Sequence, residues 1–101
     1  MEDTTKKLCL EMIKQVATEN GYDIVGGENH FEITMDRWHS VAFEIFTQQY
    51  IQVHQWEAID DKGNGKYGRG VYSIRTIPNA VAFCQILIAS ESIRARRIDP
   101  A

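Results

Sequence analysis

Gly63, Gly65 and Gly68, in the stretch GNGKYG, match the spacing of a dinucleotide-binding loop. Such a loop must open a helix, because the pyrophosphate rests on the helix N-terminus. Here the following residues, 71–76, are VYSIRT, whose β-branched and aromatic side chains predict a strand. The zone about 20 positions further on, where an acidic residue should hold the ribose, is apolar. We therefore expect no cofactor, and interpret residues 60–70 as a long, mobile hairpin loop whose glycines supply positive φ angles.

The histidines and cysteines also offer little chemistry. His30, His39 and His54 form no HxH or HxxxH pair, and Cys9 and Cys84 lie far apart in the sequence, so we expect no metal site and two buried, reduced thiols. A pairing of His54 with Glu44 or Glu32 on neighbouring strands is conceivable as an acid–base couple. No Ser or Cys is singled out as a nucleophile beside it, so we predict that the protein is not an enzyme.

Length and composition are those of a single globular domain covering residues 1–101. No apolar run reaches the roughly 18–20 residues that a membrane helix requires. The N-terminal stretch MEDTTKK is polar. We therefore expect a cytoplasmic protein with no membrane contact. Charge is uneven along the chain: the part up to residue 61 is acidic and the remainder is basic, with a net charge of −3.

The hydrophobic pattern predicts two helices that flank a run of strands. Residues 4–20 have an apolar stripe at helical spacing, and residues 77–96 have another. Between them, residues 22–25, 31–35, 41–46, 50–56 and 71–76 have strand character. The predicted fold is α+β: an N-terminal helix, an antiparallel meander of four to five strands, and a C-terminal helix, with both helices on one sheet face. The stripes comprise Leu8, Cys9, Met12, Ile13 and Val16 in the first helix and Ile77, Val81, Cys84, Leu87 and Ile88 in the second.

Strand alternation predicts a polar and aromatic face opposite the helices. If Phe43, Ile45 and Val53 point at the helices, their neighbours point to the open side. Aromatic side chains there could anchor a protein partner, stack bases, or simply stabilise the sheet through cross-strand pairs. The DRWH turn, with Arg37 and Trp38, could add to a contact surface. The predicted partner-binding residues are Phe46, Tyr50, His54, Trp56, Trp38 and Arg37.

A nucleic-acid-binding module is the alternative prediction. It would stack bases on the open face and hold phosphates with the basic loop and the basic C-terminal end. Glu32 and Glu44, on or near that face, would repel phosphate. The residues predicted for this alternative are Lys62, Lys66, Tyr67, Arg69, Arg96 and Arg97.

These patterns favour a small, non-catalytic protein-interaction module. Its size, acidity and lack of motifs are typical of accessory proteins with which phages and mobile elements inhibit or redirect a host complex. The exposed sheet face or a sheet edge could also pair with a second copy of the chain and form a homodimer.

Overall fold

The structure is a computed structural model that describes residues 1–35, 42–60, 62 and 64–98, with side-chain surroundings for all of these except residues 58 and 91–98. It contains a helix, five antiparallel strands and a second helix, which confirms the predicted α+β fold. The elements are α1 (Asp3–Glu19), β1 (Asp23–Gly26), β2 (His30–Thr34), β3 (Ala42–Thr47), β4 (Ile51–Ala58), β5 (Gly65–Ile74) and α2 (Ile77–Ile98).

The five strands form a meander in which each strand pairs with the next along the chain. Register is regular from β1 to β4, and directly opposed pairs include Glu32 with Glu44 and Glu44 with His54. The β4–β5 pairing shifts twice, between Val53 and His54 and between His54 and Trp56. Such bulges increase the local twist of a sheet and re-aim the side chains beside them.

Both helices pack on one face of the sheet, as predicted. Phe31, Ile33, Ile45 and Val53 point to that side and are almost completely buried. The two helices share one core cluster with the sheet, and the Tyr22 hydroxyl, directly after α1, donates a hydrogen bond to the Leu87 carbonyl of α2 at 2.7 Å. Cys9 and Cys84 are buried free thiols in this cluster, which confirms the prediction for them.

The buried faces of the helices differ from the predicted stripes. In α2, Cys84 and Leu87 of the predicted stripe are buried together with the flanking Ala80 and Phe83, whereas Ile77, Val81 and Ile88 are exposed. In α1, Leu8 is exposed, and the core side is formed by Cys9, Leu10, Ile13 and Ala17. Both helices have apolar residues around more than one face, so spacing alone left their rotation undetermined.

The interpretation of residues 60–70 as a loop is wrong, because β5 already begins at Gly65. Gly65, Gly68 and Gly70 lie in this strand, and none of them has a positive φ. Gly65 and Gly68 instead allow close packing: an added Cβ at Gly65 would lie 2.8 Å from the Trp56 indole, and one at Gly68 would overlap the Glu57 carboxylate. Within the described chain, positive φ values occur at Gly21, directly after α1, and Gly26, at the β1–β2 turn.

The side chain of Thr76 caps the N-terminus of α2. The Asn79 amide donates to Thr76 Oγ1 at 3.3 Å, and the Asn79 side chain accepts from the Arg75 amide at 3.2 Å. This reciprocal arrangement satisfies backbone donors at a helix start and fixes the point at which β5 gives way to α2. Neither helix, over the residues described, is long and apolar enough to cross a membrane.

Candidate functional site

The sheet face opposite the helices carries the chemically interesting side chains. We call it the outer face. Most of its side chains are neither fully buried nor fully exposed, because they lean on one another across the strands. The outer face comprises His30, Glu32, Glu44, Phe46, Tyr50, Gln52, His54, Trp56 and Tyr67.

A row of ionisable side chains crosses the centre of the outer face. Glu32 of β2 lies directly opposite Glu44 of β3, which lies directly opposite His54 of β4. Two carboxylates in directly opposed positions repel each other, because their Cβ atoms are only about 4.5–5.5 Å apart. Each carboxylate has one hydrogen-bonding neighbour among the described residues: the Tyr67 hydroxyl donates to Glu32 Oε1 at 2.6 Å, and His30 Nε2 lies 3.0 Å from Glu44 Oε2.

His54 contacts neither carboxylate through its ring nitrogens. Nδ1 lies 2.8 Å from the Gly68 carbonyl oxygen, which can only accept, so this nitrogen carries the proton. Nε2 lies 3.4 Å from the Gln52 side-chain oxygen. The conceivable acid–base couple of His54 with Glu44 or Glu32 is therefore not formed in this structure. The His–Glu pair on this face is His30 with Glu44, which sequence reasoning missed.

Aromatic rings flank the carboxylates on both sides. Trp56 and Tyr67 meet edge to face with 5.1 Å between ring centres, and His30 and Phe46 do the same at 5.1 Å. At the margin, the Tyr50 hydroxyl accepts a hydrogen bond from Gln52 at 2.9 Å, and the Arg75 guanidinium lies 3.8 Å from the Tyr50 ring centre. The face is therefore a pre-arranged network of aromatic and polar side chains.

Tyr67 connects the outermost strand to β2 across two intervening strands. Its pKa is raised well above the ordinary tyrosine range, first by burial, then by the hydrogen bond to Glu32 and the negative charges of Glu32 and Glu44. The phenol therefore stays protonated and remains a donor to Glu32 at any physiological pH. Sequence reasoning had assigned Tyr67 to phosphate or base contacts. The structure places its ring on the outer face, edge to face with Trp56.

The structure brings together four of the six predicted partner-binding residues. Phe46, Tyr50, His54 and Trp56 lie on the outer face, whereas Arg37 and Trp38 fall outside the described residues. Sequence reasoning placed Glu44 on this face but did not foresee its contact with His30 or the hydrogen bond from Tyr67 to Glu32. Strand alternation could have indicated the opposed Glu32–Glu44 pair, since it needs only the β2–β3 register.

The predicted phosphate-binding residues do not gather on the outer face. Lys66 lies directly opposite Glu57, one position along from the Trp56–Tyr67 pair, and so points to the other side of the ribbon. Lys62 is exposed in the turn between β4 and β5, and Arg69 is exposed in the middle of β5. The side chains of Arg96 and Arg97 lie outside the described part of the chain.

A cleft of about 510 Å³ lies away from the outer face, beside α1 and the ends of β2 and β3. Three lysines line it, Lys6, Lys7 and Lys14, but so do three carboxylates, and the charges balance. Among the described residues, no group of three or more His, Cys, Asp and Glu side chains is placed to hold a metal ion. The cleft residues are Asp3, Lys6, Lys7, Leu10, Glu11, Lys14, Glu28, Asn29 and Thr47.

No protein-family model matches this chain, and comparisons with curated proteins and with solved structures find no significant match. The function must therefore be argued from the outer face itself.

Proposed function

We propose that this protein is a small, non-catalytic interaction module that binds a protein partner through its outer face. The observation that carries the proposal is the cluster of partly exposed aromatic side chains, Phe46, Tyr50, Trp56 and Tyr67, on the sheet face that neither helix covers. Tyrosine and tryptophan supply much of the energy of protein interfaces, because they bury a large area and lose little conformational freedom.

The charge on the outer face favours a protein over a nucleic acid. Glu32 and Glu44 occupy its centre, where they would repel a phosphate backbone. Arg75 lies at the margin and is stacked on Tyr50, and Lys66 points to the other side of the sheet. A base-stacking surface needs cations along the path of the backbone, and the one cation that a printed contact places on this face, among the described residues, is Arg75 at its margin.

A pair of variants tests the proposal. Phe46→Ala with Tyr50→Ala removes two aromatic rings from the outer face, and neither ring belongs to the buried core. Leu8→Ala with Ile88→Ala removes a similar apolar area from the helix side, where both residues are exposed. Circular dichroism is first used to check that both variants are folded. Loss of two interface anchors should weaken partner binding by about 2 kcal/mol or more, about thirtyfold.

The measurement is capture of partners from a bacterial lysate on the tagged protein, with and without nuclease. We expect the wild type and the helix-side variant to retain the same protein in both lanes, and the outer-face variant to lose it. Equal retention by both variants would refute the outer face as the binding surface. Retention that collapses with nuclease would replace the proposal with nucleic-acid binding.

Three narrower predictions remain attached to this proposal. The partner is a subunit of a host complex that a phage or mobile-element protein inhibits or redirects, and identification of the captured protein tests this. The protein acts in the cytoplasm, which suits its two free, buried thiols. A second copy of the chain is the other possible occupant of the face, and sedimentation of the wild type and the Phe46→Ala, Tyr50→Ala variant would reveal such a dimer.

A further inference from the structure

The centre of the outer face holds two negative charges that the described part of the chain does not neutralise with a lysine or arginine. Glu32 and Glu44 are directly opposed on adjacent antiparallel strands, an arrangement that destabilises an isolated sheet. The Glu44 side chain is only 27% exposed, so water screens this repulsion incompletely. A cation delivered from outside would relieve the repulsion.

The described cations that have a defined partner are engaged elsewhere. Lys6 contacts the Gln48 carbonyl and Asp3, Lys14 lies over the Phe31 ring, and Arg75 lies over the Tyr50 ring. The one ion pair that involves either outer-face glutamate, within the described residues, is His30 with Glu44. That histidine is more than half exposed and carries a full charge only when it is protonated.

Among the described residues, each carboxylate also has one oxygen that accepts no hydrogen bond. Tyr67 occupies Oε1 of Glu32, and His30 occupies Oε2 of Glu44. The second oxygen of each glutamate accepts no hydrogen bond from any other described residue. A planar guanidinium presents several N–H donors in a fixed fork, which suits two neighbouring carboxylate oxygens better than a compact ammonium does.

The aromatic rings next to the carboxylates also favour binding of a guanidinium group. Trp56 and Tyr67 stand beside the carboxylates, and guanidinium groups stack favourably on tryptophan and tyrosine faces. The protein itself uses this contact at the margin of the face, where Arg75 lies over Tyr50. Negative charge and aromatic surface at one place are thus complementary to arginine.

We infer that the partner presents an arginine-containing basic segment, with a guanidinium docking on the Glu32–Glu44 pair beside Trp56 and Tyr67. This inference rests on the proposed function, since it specifies the chemistry of the partner at the same face. This ligand is a peptide segment of a protein, because the glutamates lie on an open sheet face and outside the cleft beside α1.

The test uses the full chain, labelled with nitrogen-15, and three peptides of alternating glycine with arginine, lysine or citrulline. Citrulline keeps the shape of arginine but has no charge. In amide chemical-shift titrations, we expect the arginine peptide to shift the amides around Glu32, Glu44 and Trp56. The lysine peptide should bind several-fold more weakly, and the citrulline peptide should produce no saturable shifts. Equal shifts with all three peptides, or arginine-induced shifts elsewhere on the chain, would overturn the inference.

Matched glutamine variants add a second readout. Glu32→Gln and Glu44→Gln should each weaken binding of the arginine peptide about tenfold. Each substitution removes a charge-assisted hydrogen bond worth about 1.5 kcal/mol or more. Glu19→Gln, an exposed position of α1, removes the same charge elsewhere and should leave affinity unchanged. Unchanged affinity in both outer-face variants would contradict the inference even if the arginine peptide binds.

Lysate capture separates this inference from the proposed function. If the partner is lost on Phe46→Ala, Tyr50→Ala but retained by both glutamine variants, the outer face binds a protein that does not use these carboxylates, so the inference alone fails. If the aromatic variant also retains the partner, the proposed function fails as well. Loss of the partner in all three variants, with retention by Glu19→Gln, supports both.

Discussion

One hydroxyl group on the outer face forms a hydrogen bond to a residue 35 positions away in the sequence. Tyr67 Oη donates to Glu32 at 2.6 Å, although β5 and β2 are separated by two strands. The phenol can make this bond only while it is protonated, and burial together with the nearby carboxylates raises its pKa accordingly. Removing the hydroxyl leaves a partly buried carboxylate with one donor fewer, which is costly for a charged acceptor.

We predict that Tyr67→Phe lowers the free energy of unfolding by about 1–2 kcal/mol at neutral pH. Because the folded-state pKa lies above the unfolded value of about 10, the contribution of the hydroxyl is fully present below that pH and is lost as pH rises above it. Urea denaturation at a series of pH values measures this. The wild type should lose stability more steeply than the variant above about pH 10, and Tyr72→Phe, on the helix side, is the control. If the free energy of unfolding of the wild type and of Tyr67→Phe changed with pH in the same way, Tyr67 would not retain its proton in the folded state.

At the scale of the element, the β4–β5 ribbon depends on two glycines with different surroundings. A Cβ at Gly65 would meet the Glu57 main chain and the Trp56 indole, and neither can move without disturbing the strand pairing. A Cβ at Gly68 would meet only the end of the Glu57 side chain, which can swing aside. The same substitution should therefore have unequal effects at these two positions.

We expect Gly65→Ala to destabilise the protein by about 1–3 kcal/mol, as overpacking does, and Gly68→Ala to cost less than Gly65→Ala. Chemical denaturation of the two variants gives the comparison, and tryptophan fluorescence in a Trp38→Phe background reports whether the Trp56 indole has moved. Adding Glu57→Ala to Gly68→Ala should remove any residual cost, while adding it to Gly65→Ala should not. A larger effect at Gly68 than at Gly65 would mean that the ribbon is packed differently.

At the scale of the whole molecule, α1, α2 and the sheet share one buried cluster. The strands and Tyr22 supply half of this cluster, and the helices supply Cys9, Leu10, Ile13 and Ala17 from α1 and Ala80, Phe83, Cys84 and Leu87 from α2. The Tyr22–Leu87 hydrogen bond adds a polar tie between the end of α1 and α2. An element that lost its place in this cluster would expose the core of all the others.

The chain should therefore unfold as one cooperative unit, as the prediction of a single domain requires. Thermal unfolding followed by far-ultraviolet and near-ultraviolet circular dichroism should give coincident transitions. Ile13→Ala in α1 and Ile45→Ala in β3 should each lower the stability by about 2–5 kcal/mol and shift both signals together. Separate transitions for the helical and aromatic signals would show that the helices and the sheet melt independently.

Sequence by itself determined the order of the elements and the assignment of strand residues to the two sheet faces. These follow from local rules, because side-chain alternation involves residues within a few positions of each other. It also indicated that Phe46, Tyr50, His54 and Trp56 share a face. Tertiary packing decided the rest. Rotation of α1 and α2 against the sheet buried Ala17 and Ala80 while leaving Leu8 and Ile77 exposed.

The composition of the candidate site was decided at the same level. Tyr67 reaches Glu32 only because the meander and two irregularities in β4–β5 pairing bring residues 35 positions apart into contact. The start of β5 at Gly65 was not predicted, because glycines usually mark turns. Here Gly65 and Gly68 make room for Trp56 and Glu57. The register shifts, twist and close packing of the β4–β5 ribbon depend on contacts that alternation does not specify, so no local pattern could have revealed them.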